Sequence, residues 1–291
     1  MQFRQLDCIL DDLTKAVAWF ESVGIPTKET RLQAIHHYLF DQLQFPAPGA
    51  TMPDYDHHMV ISDAAAFFLI ATEFSRLPSN LLPRRTMKEA IYGPLPPSNE
   101  DAQSSDSRNK FFELELAAHL SMSGVKLVGF DDVQFQFEDH RYIVECKRPF
   151  IDRRFEDNLG KAYDQLASRL KAPNDRGLAA IAVEKVLDID GSIHRIDSTP
   201  DALAFTKSQL DKLTGQIIAY GTTKDMRIVG VLFITRFLMR TRTAGTYAMN
   251  YLLSSLPFHY GDTDPVPEIS RLDRLIGTLQ QKFQSMDTGF R

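Results

Sequence analysis

Apolar positions near the start of the chain recur with the period of a helix. Leu6, Ile9, Leu10, Leu13, Ala16, Val17 and Phe20 follow the i, i+3, i+4, i+7 spacing, and Gly24 and Pro26 end the run. A second helix is expected from about Lys28 to Leu43, with Leu32, Ile35, Leu39 and Leu43 along one side. The stretch FPAPGATMPDYDHH, rich in Pro and Gly, then reads as a loop before a third apolar segment at 63–76. Thr86 and Glu89 have the spacing of a capping box, which would open a short fourth helix. Residues 1–93 therefore read as a helical region.

The pattern changes at GPLPPSNEDAQSSDS, which concentrates Pro, Ser, Asn and Asp without periodicity. Residues 94–107 are taken as a linker or surface loop, with a second domain over 108–291. There a helix is expected at 108–122, strands at 125–129, 133–138 and 142–147, a helix at 155–171 and a strand at 179–186. A helix at 201–219, a strand at 227–238 and a terminal helix with Ile269, Leu272, Leu275, Ile276, Leu279 and Phe283 on one face complete an α/β arrangement. There is no internal repeat.

At 291 residues with 43% hydrophobic content, the chain is long enough to bury a full core. The longest apolar run, IVGVLFI at 228–234, is far short of a membrane span, and MQFRQLDCIL lacks the pattern of a secretory leader. A soluble protein of the cytoplasm is the expectation. Cys8 and Cys146 offer neither a disulfide framework nor a CxxC knuckle, and free thiols fit a reducing compartment. A formal charge of −5 argues against a polycation that coats nucleic acid. Local basic clusters remain: Arg84, Arg85 and Lys88; Lys147, Arg148, Arg153 and Arg154; Arg236, Arg240 and Arg242. The sequence has no GxxxxGK[ST], GxSxG, HExxH or GxGxxG motif, so the usual signals of nucleotide hydrolysis, serine hydrolysis, zincin chemistry and dinucleotide binding are missing. PDYDHH offers Asp54, Asp56, His57 and His58 as metal donors, but neighbouring histidines on a Pro-rich loop are expected to be simply exposed.

The informative chemistry begins at YIVECK. A period of two puts Tyr142, Val144 and Cys146 on one strand face and Ile143, Glu145 and Lys147 on the other. Residues two apart on a strand are separated by roughly 6.6 Å, about the span over which a carboxylate holds a metal while an ammonium reaches the same phosphate. The preceding strand, GFDDVQFQF, alternates Val133, Phe135 and Phe137 with Gln134 and Gln136 and opens on two aspartates. Pairing as a hairpin with 142–147 brings Asp131 or Asp132 beside Glu145, the oxygen-rich arrangement that a hard divalent cation requires. Glu113 shares a helix face with Leu116, Ala117 and Leu120 and so needs a metal, a water or a lysine as partner. Glu115 points toward Phe111 and His119 and is expected to be solvated. Along 155–171, Lys161, Gln165 and Arg169 form a polar stripe beside the packing stripe, placed to rim the same region.

The order of helix with Glu, strand with Asp, strand with ExK, helix with Gln and a further strand resembles the PD-(D/E)XK, or restriction-endonuclease-like, nuclease superfamily over about 108–186. The resemblance matches Asp132 to the motif's Asp, Glu145 to its second acid, Lys147 to its lysine, Glu113 to the first helix's acid and Gln165 to the polar residue of the later helix. Asp131 stands where the motif has Pro, which leaves the choice between the two aspartates open. The resemblance implies a mixed central sheet flanked by helices and Mg²⁺, or Mn²⁺ in its place, held by Asp132, Glu145 and the Cys146 carbonyl, with Glu113 direct or through water. It implies an endonuclease acting on DNA rather than RNA, in restriction, repair or defence against phage. The low overall charge suggests that a homodimer groove or a regulatory partner contributes to affinity. The alternative is a binding module for nucleic acid or protein that kept the fold and lost cleavage; it has no chemical need for Asp132, Glu145 and Lys147 together.

Overall fold

A computed structural model describes residues 5–44, 54–95, 99–100, 105–130, 132–149, 155–183, 225–240, 247–258 and 266–285, with a few single positions between 208 and 215. The helix expected at 201–219 lies almost wholly outside them, as do Asp131, Arg153, Arg154 and Arg242. Contacts divide the chain into two compact units, Met1–Met122 with Phe237–Asn250, and Ser123–Arg236 with Tyr251–Arg291.

The described helices of the first unit are α1 (Leu6–Ser22), α2 (Arg31–Gln44), α3 (Asp54–Phe74), α4 (Arg84–Ala90) and α5 (Ser105–Met122), with a short 3-10 turn at Ser79–Leu81. Ile9, Leu13, Ala16 and Phe20 bury one face of α1, and the α1 apolar stripe packs on α2 and α3. Phe20 meets Phe67 edge-on, and Phe67 packs against Phe111 with ring centroids 4.5 Å apart, joining α1, α3 and α5.

Three local expectations are corrected here. Helix α3 begins at Asp54, directly after Pro53, so DYDHH is its first turns and not loop. Asp56 and His58 are buried, and Tyr38 Oη lies 2.8 Å from His57 Nδ1, so this segment is packed and not an exposed histidine pair. Helix α4 starts after Pro83 with no side-chain cap, which puts Thr86 inside the helix, while Glu89 accepts from Arg85 at 2.9 Å. Glu115 is fully buried, not solvated. The reason is that α5 buries residues on nearly every side, from Phe111 to Leu120, so no polar face exists for Glu115 to occupy.

A six-stranded mixed sheet, with β1 to β4 in the second unit, has the order β1 (Lys126–Gly129), β2 (Val133–Phe137), β3 (His140–Lys147), β4 (Asp175–Ala182), β5 (Ile228–Arg240) and β6 (Tyr247–Pro257). Strands β1, β2 and β3 run antiparallel in succession, and β3, β4 and β5 are parallel. Helix α6 (Phe155–Arg169) lies between β3 and β4 in the chain, as a parallel crossover requires. Its Leu159, Ala162, Tyr163 and Leu166 share a buried cluster with Ile143, Ala179, Ile181, Val231 and Phe233, which assigns one sheet face to α6. Burial on both faces explains why β4 reads as a continuous apolar run.

The other face carries Val133, Phe135, Tyr142 and Val144, and Phe135 stacks on Tyr142 at 5.0 Å and 2°. Helix α7 (Val266–Ser285) lies on this side. Gly230, in register with Leu178 and thus Val144, leaves room for it: a Cβ there would stand 3.2 Å from Leu272 Cδ2 and 2.5 Å from the Leu256 carbonyl oxygen. Arg271 and Arg274 of α7 both hold Glu138, in the turn between β2 and β3, and Arg176 of β4 donates to Glu268 at 2.9 Å. Among the described residues, no helix is long and apolar enough to cross a membrane.

Burial, reinforced by the Glu268 carboxylate, pushes the Tyr142 phenol up to about 12. The unfolded phenol ionises first, near pH 10, so the stability tied to the protonated ring is complete below pH 10 and disappears as pH climbs toward 12. The loss is expected to be roughly 2–3 kcal/mol. Urea melts of wild type and Tyr142→Phe between pH 9 and 12 check it: the wild type should fall more steeply, and parallel curves would mean that the buried phenol titrates normally.

Candidate active site

Strand pairing decides which acidic residues meet. The β2–β3 register sets Val133 opposite Val144 and Gln134 opposite Ile143, so Asp132 and Glu145 are the residues next to the last pair, Val133 and Val144. Asp132 leaves the strand with φ 61°, a left-handed conformation that Asp tolerates better than most side chains. Its carboxylate and that of Glu145 nonetheless converge on one cation: Arg169 Nη1 donates to Glu145 Oε2 at 2.5 Å and forms an ion pair with Asp132 Oδ2. Arg169 thus joins Asp132 to Glu145, and Asp131 lies outside the described residues.

Helix α6 supplies the roof on the Ile143 face. Gln165 and Arg169 are four residues apart and stand one above the other on the helix. Lys147 Nζ donates to Glu145 Oε1 and to Gln165 Oε1, each at 2.6 Å. Each oxygen of Glu145 therefore faces a different cation, Oε1 the ammonium and Oε2 the guanidinium. Glu145 is only 5% exposed, and two positive groups offset the desolvation of two carboxylates. Lys147 retains 17% side-chain exposure and Arg169 39%, so the cations line the open side of the cluster. Arg169 also ends α6, where the helix dipole favours a positive charge.

Asp132, Glu145, Lys147 and Gln165 are thus gathered in the second unit, with Cys146 between the two charged β3 residues and its thiol half-buried. Glu113 lies on α5 in the first unit, and its partner there is Lys110, whose Nζ donates to Oε1 at 2.9 Å and to Oε2 at 3.0 Å. Arg169 joins the two carboxylates, although the sequence places it only in the rim stripe. Its four-residue offset from Gln165 was the available signal.

Among the described residues, no group of three or more His, Cys, Asp or Glu side chains is assembled for a metal. The pair Asp132 and Glu145 offers hard oxygen donors converging on one positive centre. That donor set suits a hard dication such as Mg²⁺, which retains several waters. No family model, curated protein or solved structure matches the chain.

Proposed function

We propose that the second unit is a restriction-endonuclease-like core and that the protein is a Mg²⁺-dependent nuclease hydrolysing phosphodiester bonds in DNA. The observation that carries this reading is the meeting of Asp132, Glu145, Lys147 and Gln165 at one end of β2 and β3. Asp132 and Glu145 would hold Mg²⁺ or Mn²⁺, which when bound supplies Lewis-acid polarisation of the phosphate and acidifies a water. Lys147, fixed by Gln165 and Glu145, orients the attacking water and offsets charge growing on the phosphate oxygens. Its geometry is set before substrate arrives, so little reorganisation is needed in the transition state. Service in restriction, repair or phage defence, in the cytoplasm and with a dimer or regulatory partner, belongs to the same proposal.

A second reading, a binding module on the same fold without cleavage, is favoured by one observation. Among the described residues two carboxylates are gathered and not three, and Arg169 already faces both.

Cleavage separates the two. Purified protein is incubated with circular plasmid, linear duplex, single-stranded DNA and RNA, in Mg²⁺, Mn²⁺ or EDTA, beside Lys147→Ala. The nuclease reading expects metal-dependent DNA cleavage that falls about 10²–10³-fold in the variant. Metal-dependent binding of DNA with no cut product from any substrate would favour the binding module.

A further inference from the structure

We propose that Arg169 is the built-in competitor of the metal: it leaves Asp132 and Glu145 when a divalent cation binds and then positions a backbone phosphate of the substrate. This rests on the nuclease reading of the same site.

The competition follows from which oxygens are used. Arg169 Nη1 contacts Asp132 Oδ2 and Glu145 Oε2, one oxygen of each carboxylate. A cation held by Asp132 and Glu145 would draw on the same two carboxylates that Arg169 now faces, so guanidinium and metal would compete for them. Lys147 is not in the way, because it uses Oε1 of Glu145 and the amide of Gln165. Exchange of Arg169 for a dication therefore leaves the lysine in place.

The exchange is physically feasible at this position. Arg169 is the last residue of α6 and keeps 39% of its side chain exposed, so its release requires rotation of a long side chain and no change in the core. Two neighbouring carboxylates repel each other, and the guanidinium that faces both offsets that repulsion. Once released beside Lys147, it carries the planar donor fork that matches a phosphate. One residue thereby preserves the acidic pair and contributes to phosphate binding.

The test measures metal affinity directly. Mn²⁺ binding to the full chain is followed by electron paramagnetic resonance for wild type, Arg169→Gln, Arg169→Lys and Asp132→Asn. Arg169→Gln is expected to bind Mn²⁺ roughly 10–100-fold more tightly than wild type, the range that one charge-assisted contact controls. Arg169→Lys should stay near wild type, and Asp132→Asn should lose binding. In cleavage assays at saturating Mn²⁺, Arg169→Gln should raise KM for duplex more than it lowers kcat, with rescue by lysine.

A residue that merely braces the fold would not tighten metal binding on removal. A wild-type readout covers the event that the variants unfold: the Arg169 Nε resonance should shift on titration with Mg²⁺. If Asp132→Asn abolishes Mn²⁺ binding yet Arg169→Gln binds no tighter than wild type, the competitor role falls and the metal site stands. If Mn²⁺ affinity ignores Asp132, or no variant binds it, the site reading itself falls, and the Arg169 role with it.

Discussion

Glu145→Gln is expected to lower single-turnover cleavage at least about 10³-fold, the largest kinetic effect of any single change in the site. Glu145 does three things at once: one oxygen faces Lys147 at 2.6 Å, the other faces Arg169 at 2.5 Å, and the pair with Asp132 provides the negative charge for a dication. The amide keeps the shape but supplies one acceptor and no charge. Lys147 and Arg169 then have one acceptor oxygen at position 145 in place of two, so both metal affinity and the placement of the ammonium suffer. Cleavage of a labelled duplex over a Mg²⁺ series checks the outcome. A loss below tenfold at saturating metal would make Glu145 a structural anchor for the two cations and remove it from the chemistry.

The largest expected effect on stability lies in the first unit. Asp63, fully buried on α3, sits 2.9 Å from Arg108 Nη1 and 3.6 Å from Arg31 Nη1. Both arginines are themselves buried, and Arg31 lies over the rings of Phe67 and Phe111 at 5.5 and 4.8 Å. Arg31 also donates to the Ala90 carbonyl at 3.0 Å and Arg108 to the Pro94 carbonyl at 3.2 Å, with Glu100 3.7 Å from Arg108. Asp63→Asn keeps the volume and removes the charge that both guanidinium groups face. Breaking a buried pair from one side costs about 3–5 kcal/mol, because the surviving charge stays desolvated. Urea denaturation should show that loss, and hydrogen exchange should place it in α3 and α5. A change under about 1 kcal/mol would mean that Glu100 and the carbonyls suffice.

These two positions differ in how visible they were beforehand. Glu145 belongs to a short-range pattern: the alternation of YIVECK separates its face from that of Tyr142, and α6 indeed covers the Ile143 side. Asp63 carries no such signal. It is one aspartate at the start of an apolar stretch, and its partners are 32 residues before it at Arg31 and 45 residues after it at Arg108. Glu115 fails for a related reason: helical periodicity assumes one solvent face, and α5 has none. Strand β6, Tyr247–Pro257, is likewise unmarked in the sequence, which has no clean alternation there.

The sequence alone determined what local periodicity can encode: a helical amino-terminal region, a strand hairpin opening on two aspartates, an ExK strand and a helix whose polar stripe holds Gln165 and Arg169. Those elements follow from spacings of two and 3.6 residues, which the chain states within any ten positions. Only tertiary structure decided which side chains meet. The β2–β3 register put Asp132 and Glu145 next to its last pair, the α6 crossover lowered Gln165 onto Lys147 and Arg169 between the two carboxylates, and helix packing buried Asp63 between two arginines. Charge pairing acts through space over a few ångströms, and no spacing along the chain specifies which distant residues the fold will bring that close.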